Sequence, residues 1–367
     1  MKFLDLKTQQ NRIRESLEKR LKVILDHGAY IMGPEVFELE EKLSEYTGVK
    51  HTVSCSSGTD ALLIPLMAWD VGPGDAVFTT PFTYVATAEV ISLVGATPVF
   101  VDVYESTFNM DCEKLESAIQ HTISKGELTP KAIIPVDLFG VPARYRLIEK
   151  IAKRYNLKII EDAAQSFGAK IGDKKVGTFG DVAATSFYPA KPLGCYGDGG
   201  AIFTNDDDLA EKCRSIRIHG TSTDKYNSQL IGLNGRLDSI QAAVLLEKLT
   251  IFEEELSLRE KIGNQYRNDL EHCQYIPDNY TSSYALFSIL LESNQKRNRI
   301  IEQLQKNNIP TMIYYQYPLH LMKAFSYLGY RVGDLPISEK LSKTILNLPM
   351  HPYLSDDEIK SVILNVD

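Results

Sequence analysis

The chain has 367 residues, with 40 Lys plus Arg against 48 Asp plus Glu and a formal net charge of −8. That balance argues against a nucleic-acid binder, which would carry a basic face, and against attraction to anionic lipid. Hydrophobic residues make up 44 % and charged residues 24 %, ordinary globular values, and the length predicts about two domains whose core needs no disulfide or metal.

In chain order, residues 9–26 predict a polar helix with Ile13, Leu17, Leu21 and Ile24 on one stripe. A second helix over 35–46 carries Val36, Leu39, Leu43 and Tyr46 and stops near Gly48. Short runs rich in Val, Ile and Phe then appear at 51–55, 76–79, 98–103, 131–137 and 157–161. Helix-period segments at 59–69, 83–94, 111–120 and 143–155 separate them. This alternation predicts an α/β fold, a mostly parallel sheet with helices on both faces. Two further strand-like runs, 182–187 and 200–204, have no helix between them and could be neighbours joined by the loop 188–199.

A long helical segment over 237–270 breaks the rhythm, with Glu253-Glu254-Glu255 read as a solvated face. Strand-like 284–291, helix 293–307 and strand-like 311–315 predict a smaller α+β unit, closed by helices at 338–346 and 355–364. A boundary near 250 divides the chain into a large unit, 1–250, and a small one, 251–367.

The five cysteines, Cys55, Cys112, Cys195, Cys213 and Cys273, are odd in number and contain no C-x-x-C pair, so neither a disulfide framework nor a zinc site is expected. His27, His51, His219, His320 and His351 show no metal spacing. The charged start Met1 to Lys7 lacks the apolar run of a signal peptide. No stretch reaches the roughly 18 apolar residues of a membrane span. A cytoplasmic protein is the expectation.

Ligands in such sheets bind at the carboxyl ends of the strands. The first strand runs into Ser56-Ser57-Gly58-Thr59-Asp60 at a helix start, a ready anion site; plain N-capping would use the same residues. Tyr84, after the second strand, is an aromatic that could stack on a planar ligand or fill the core. Asp162 closes the fifth strand, where a carboxylate is poorly solvated and needs a partner. Lys191 lies in the loop between the last two strand-like runs, flanked by Pro189 and Pro192. A lysine so held suits Schiff-base chemistry, although loop lysines are ordinarily surface charges. The glycines of that loop match neither G-x-G-x-x-G nor G-x-x-x-x-G-K-[ST]. A phosphate cradle, an aromatic plate, a strand-end Asp and a lysine are together what pyridoxal 5'-phosphate requires.

Several stretches in this order carry a specific resemblance. They are Gly28 to Val36, Ser57-Gly58-Thr59-Asp60-Ala61-Leu62, Glu161-Asp162-Ala163-Ala164-Gln165-Ser166, the loop Ser186 to Gly200, and Leu348-Pro349-Met350-His351-Pro352-Tyr353-Leu354. Over nearly its whole length the chain resembles the DegT-type sugar aminotransferases, which act on nucleotide-linked keto sugars. Phe82 to Glu89 and Lys191 to Thr204 are most similar to the branch that aminates C3 of a UDP-linked 2-acetamido-2-deoxy-3-keto-hexuronic acid for bacterial surface polysaccharide, including lipopolysaccharide O-antigen. The resemblance implies pyridoxal phosphate fold type I, with a mostly parallel mixed seven-stranded sheet and a smaller α+β C-terminal domain. It implies glutamate as amino donor and a homodimer with its active site at the interface.

The resemblance also implies roles. Lys191 is the Schiff-base lysine. Asp162 pairs with the ring nitrogen and Gln165 reaches the ring hydroxyl. Gly58, Thr59 and Ser186 hold the phosphate, and Tyr84 stacks on the ring. Asn234 reaches the phosphate of the other subunit, and Arg236 faces the sugar, where its fork suits a uronic carboxylate. Tyr30, Tyr314, Tyr315 and His320 correspond to substrate-facing positions. Tyr314 and Gln316 stand where relatives more often have His and Pro, and Ala190 where the close branch often has Ser. Dehydratases of the family carry His in place of the lysine, so Lys191 favours the aminotransferase. Amination at C4 of a dTDP- or GDP-linked 4-keto-6-deoxy sugar is the alternative, and a non-catalytic pyridoxal-binding regulator is the alternative of another class.

Overall fold

The computed structural model describes residues 1–221, 224 and 226–366. Helices α1 (Leu6–His27) and α2 (Pro34–Thr47) precede β1 (His51–Cys55). The alternating part follows as α3 (Gly58–Ala68), β2 (Asp75–Thr79), α4 (Ala86–Leu93), β3 (Thr97–Phe100), α5 (Cys112–Lys125), β4 (Thr129–Ile134), α6 (Tyr145–Tyr155) and β5 (Lys158–Asp162). A small hairpin, β6 (Lys170–Ile171) and β7 (Lys174–Lys175), leads to β8 (Val182–Ser186) and β9 (Gly200–Thr204). Then come α7 (Asp207–Ile216) and the long α8 (Ser239–Asp269). The chain ends with β10 (Phe287–Leu290), α9 (Asn294–Lys306), α10 (Pro336–Thr344), β11 (Ile345–Leu348) and α11 (Asp356–Ile363).

The main sheet has seven strands in the order β1-β9-β8-β5-β4-β2-β3. Five of them are parallel neighbours, and β9 runs antiparallel between β1 and β8. The expected pairing of the last two runs is present, because a connection without a helix returns the chain beside the strand it left. Successive residues face opposite layers. Val182 and Ala184 pack with α3, α4 and α7, while Ala183 packs with α1, α2 and α8. Ala76, Phe78, Ile133 and Ile159 face α5 and α6.

Residue 250 lies inside α8. The first half of that helix packs beneath the sheet through Ala242 to Leu246 and Phe252. Its second half contributes Ile262, Tyr266 and Leu270 to a separate core with β10, α9, β11 and α11.

Three expectations are corrected. Residues 311–315 form no strand; they touch Asn347 through a single bridge at Met312. The partner of β10 is β11 (Ile345–Leu348); the helix expected over 338–346 ends at Thr344, and Ile345 and Leu346 belong to the strand. The acidic triplet is not one solvated face. Glu253 and Glu254 are exposed, but Glu255 is 2 % exposed. It accepts hydrogen bonds from Gln9 at 2.7 Å and from the Tyr353 hydroxyl. All five cysteines are free thiols. No helix among the described residues is long and apolar enough to cross a membrane.

Candidate active site

The register of three strands assembles the site. Cys55 at the end of β1 pairs with Gly200, and Gly200 pairs with Ser186 at the end of β8. Ser186 therefore stands beside the start of α3. Space there admits only glycine. A Cβ on Gly58 would fall 2.5 Å from the Ser186 Cβ, and one on Gly200 would fall 2.3 Å from the Ser57 carbonyl oxygen. Ser57 caps α3 by accepting from the Asp60 N–H at 3.1 Å. Gly58 and Thr59 then offer N–H groups at the positive end of an eleven-residue helix, with the Ser186 hydroxyl alongside. That donor set fits a phosphate.

Asp162 lies on β5 opposite Ala184, two residues before Ser186 on β8. It is 4 % exposed. Its carboxylate accepts from the Thr87 hydroxyl at 2.8 Å and the Ala164 N–H at 3.2 Å. Burial pushes this carboxyl above its usual range; Thr87, Ala164 and the charge of Lys191 oppose the shift. Lys191 shows the mirror effect. Burial holds its ammonium below the usual lysine value, and Asp162 opposes. No hydrogen bond or ion pair reaches the Lys191 amine among the described residues, so it is free to act as a nucleophile at a carbonyl.

The lysine loop is fixed on both sides. The Lys191 N–H donates to the Tyr188 carbonyl at 2.8 Å, and the Cys195 N–H to the Phe187 carbonyl at 2.7 Å. The Tyr196 N–H donates to Gln241 of α8 at 2.9 Å. Gly194 is obligatory in this turn, since a Cβ there would lie 2.5 Å from the Tyr188 carbonyl oxygen.

Gln165 is held at both ends of its amide. Its oxygen accepts from the Phe139 N–H at 2.8 Å, and its nitrogen donates to the Tyr315 hydroxyl at 3.0 Å. Tyr315 packs against Phe139 and edge-on to Phe82. Tyr314 precedes it across a cis peptide bond and is anchored by its N–H on Asn347 at 2.8 Å. Burial pushes the Tyr314 phenol up, with Tyr188 of the lysine loop adding to the shift. Tyr84 is 57 % exposed in the turn before α4. Asn234 is exposed, and its side-chain oxygen accepts from Arg236. Their turn lies against the start of α3, where the Ser56 N–H donates to the Gly235 carbonyl at 3.0 Å. Tyr30 is half exposed and touches the start of α8 through the Ser239 N–H at 2.9 Å.

His320 is not brought to this group as a substrate-facing side chain. It is 1 % exposed, packed against Phe100 and Tyr330, with its Nε2 3.3 Å from Glu339. The apolar packing of Leu319 and Phe325 carries it into the core. Thr87, the hydroxyl on Asp162, and Gln241, the anchor of the lysine loop, escaped sequence reading. Neither carries a signal beyond its place near a helix start.

These groups fit pyridoxal 5'-phosphate: a phosphate cradle only glycine allows, a buried carboxylate for the ring nitrogen, and an amine without an internal partner. The sheet and this arrangement define the class, a pyridoxal phosphate enzyme of fold type I. The chain belongs to the DegT/DnrJ/EryC1/StrS aminotransferase family, whose model matches residues 11–367. It is 45 % identical to the UDP-2-acetamido-2-deoxy-3-oxo-D-glucuronate aminotransferase of Pseudomonas aeruginosa, over 99 % of this chain and 98 % of that one. It is 42 % identical to the pleiotropic regulatory protein of Geobacillus stearothermophilus, over 98 % and 96 % of the two chains. Its structure superimposes on a DegT/DnrJ/EryC1/StrS aminotransferase from Brucella abortus with a TM-score of 0.97 at 51 % identity, covering 100 % and 98 % of the chains. NtdA from Bacillus subtilis with bound cofactor PMP gives a TM-score of 0.88 at 29 % identity, covering 97 % and 81 %.

Proposed function

We propose that this aminotransferase moves the amino group of glutamate to C3 of UDP-2-acetamido-2-deoxy-3-keto-glucuronic acid, for bacterial surface polysaccharide. The observation that carries the sugar assignment is Arg236. Its guanidinium stands beside Asn234, and its buried Nε has no partner among the described residues. A uronic carboxylate would complete it, whereas a neutral deoxy sugar would leave it unpaired. The end-to-end similarity to the P. aeruginosa enzyme supports the same substrate.

Pyridoxal phosphate, when bound, supplies a carbonyl that takes up the amino group and a protonated ring that accepts electron density. Gly58, Thr59 and Ser186 bind its phosphate, and Tyr84 covers the ring. Asp162 holds the proton on the ring nitrogen. Gln165, already oriented by Phe139 and Tyr315, turns its second amide N–H to the ring hydroxyl. The Lys191 amine would hold the cofactor's carbonyl carbon and, when free, would carry the proton from the donor's α-carbon. The same amine returns a proton when the keto sugar is aminated. Its lowered proton affinity suits a group that must be neutral to accept and charged to donate.

Residues 1–250 form the cofactor-binding unit in this reading and 251–367 a smaller unit on its sugar side. The enzyme works as a cytoplasmic homodimer, with Asn234 serving the partner's phosphate. Incubating the purified protein with glutamate and a panel of nucleotide-linked 3-keto uronates and 4-keto-6-deoxy sugars, read by mass, tests the assignment. The 3-keto uronate should gain the amine. Amination of a dTDP- or GDP-linked 4-keto sugar alone would overturn the substrate, and a protein that stays colourless with pyridoxal phosphate would overturn the cofactor.

A further inference from the structure

Two threonines at the start of α4, Thr83 and Thr87, are each 1 % exposed, and no step above uses them. The Thr87 hydroxyl donates to Asp162 Oδ2 at 2.8 Å, and the Thr83 and Thr87 hydroxyl oxygens lie 3.3 Å apart. Other helical threonines of the chain turn their hydroxyls back on their own helix. Thr47, Thr122 and Thr344 each donate to the carbonyl four residues earlier, at 2.8, 2.9 and 2.9 Å. That is the ordinary habit of this side chain in a helix. Thr87 departs from it and crosses to a strand end 75 positions away. Among the described residues it is the only side chain whose hydrogen bond reaches the Asp162 carboxyl; the other bond comes from the Ala164 backbone.

A hydroxyl carries one proton and can accept as well as donate. An ionised Asp162 cannot donate, so the proton between it and Thr87 belongs to Thr87. Thr83 must then donate across the 3.3 Å contact. The chain therefore runs from Thr83 to Thr87 to Asp162. A hydrogen bond to the ionised form lowers the proton affinity of a carboxyl. Burial raises Asp162, and of the groups that oppose the rise the Thr87 hydroxyl acts most strongly, ahead of Ala164 and the Lys191 charge. The Thr87 N–H also donates to the Tyr84 carbonyl at 3.4 Å. One residue thus ties the turn of Tyr84 to the carboxylate of Asp162.

We propose that Thr87 is a positioning residue that keeps Asp162 ionised and aimed at the cofactor's ring nitrogen, with Thr83 setting the direction of its hydroxyl. A proton held between Asp162 and the ring nitrogen lies on the nitrogen only while the carboxylate is the weaker base. The bond from Thr87 weakens it as a base. The bearing on the cofactor rests on the role proposed for Asp162; the effect on the Asp162 carboxyl itself does not.

Carbon-13 spectra of the apoprotein with labelled aspartate carboxyls, followed through pH, test the effect on Asp162, whose signal is the one missing from Asp162→Asn. Thr87→Val keeps the shape and removes the hydroxyl. Its Asp162 midpoint should lie about one pH unit above that of wild type, the size of one hydrogen bond to a charged group, and Thr87→Ser should keep the wild-type value. Lys191, Tyr315, Asp137 and Tyr145 are the titratable groups coupled by charge to Asp162. They are the same in every variant, so the difference isolates the hydroxyl. An unmoved midpoint in Thr87→Val would overturn the proposal. If that variant does not fold, Thr87→Ala removes the same hydroxyl and should shift the midpoint the same way, an unmoved value again overturning it. Thr83→Val should give a smaller rise, and no rise would remove Thr83 from the chain. These measurements need neither cofactor nor turnover, so they fail independently of the proposed function. In holoenzyme with ¹⁵N-labelled pyridoxal phosphate, the ring-nitrogen resonance should move toward its unprotonated position in Thr87→Val and stay in place in Thr87→Ser. A midpoint that moves while the ring nitrogen does not would overturn the role toward the cofactor.

Discussion

Lys191 carries the greatest chemical load of any single side chain in this reading, because one amine must both bond the cofactor and move the proton. Lys191→Ala should still bind pyridoxamine phosphate, since Gly58, Thr59, Ser186 and Asp162 are untouched. Its turnover should fall by about 10⁴-fold, the upper range for a lost acid–base group. Absorbance titration and a glutamate-dependent assay measure the two properties separately, and normal turnover would remove Lys191 from its role. At this scale much was legible in the sequence. Asp162 and Ser186 end strands, Gly58 opens the helix after β1 and Lys191 lies in the loop between β8 and β9, so the strand pattern groups them at one sheet edge. Tyr315 and Thr87 were harder. Their contacts with Gln165 and Asp162 join residues 150 and 75 positions apart, and no local pattern encodes such a pairing. His320 matches a substrate-facing position of the family only by resemblance, and here its apolar neighbours bury it.

Secondary elements are fixed by their ends as much as by their faces. At the start of α1, Asp5 accepts from the Thr8 N–H at 3.0 Å and pairs with Lys2. Burial alone would raise this carboxyl, but the hydrogen bonds from Lys2 and Thr8 outweigh it and lower it from 3.8 to about 2. A depressed pKa stabilises the fold above the ordinary value and loses that effect as pH falls through the folded one. Asp5→Ala should therefore cost about 1 kcal/mol near neutrality, and denaturant titration should show the gap to wild type closing between pH 4 and pH 2. A gap that persists at pH 2 would show that Asp5 acts by packing rather than charge. The elements missed by sequence reading have local causes. Helix α7 is short and begins with Asp206-Asp207-Asp208, acidic residues that serve as a cap and first turn but resemble a loop. Strand β11 follows α10 without a break, so its apolar residues extend the helical pattern, and only pairing with β10 decides between the two.

For the whole molecule, several large apolar side chains remain on the surface. Ile31 is 49 %, Phe37 54 % and Ile231 87 % exposed. The proposed homodimer would cover such residues, and its mass by sedimentation equilibrium should be twice the 41.2 kDa of the chain. Subunit exchange gives the sharper measurement. If Asn234 serves the partner's phosphate, mixing Lys191→Ala with Asn234→Ala dimers should restore activity, because each hybrid contains one intact site. No recovery from hybrids shown to have formed would confine Asn234 to its own subunit.

The sequence by itself determined the α/β layering, the seven strands of the sheet and which residues at the strand ends are candidates to hold the cofactor. Hydrophobic period and strand-end position are local properties, written within a few residues. The tertiary structure alone decided that β9 inserts between β1 and β8, that Gly58 meets Ser186 across Gly200, and that the Thr87 hydroxyl meets the Asp162 carboxylate. These are contacts between distant segments. Register and burial set them, and register exists only once the strands have paired.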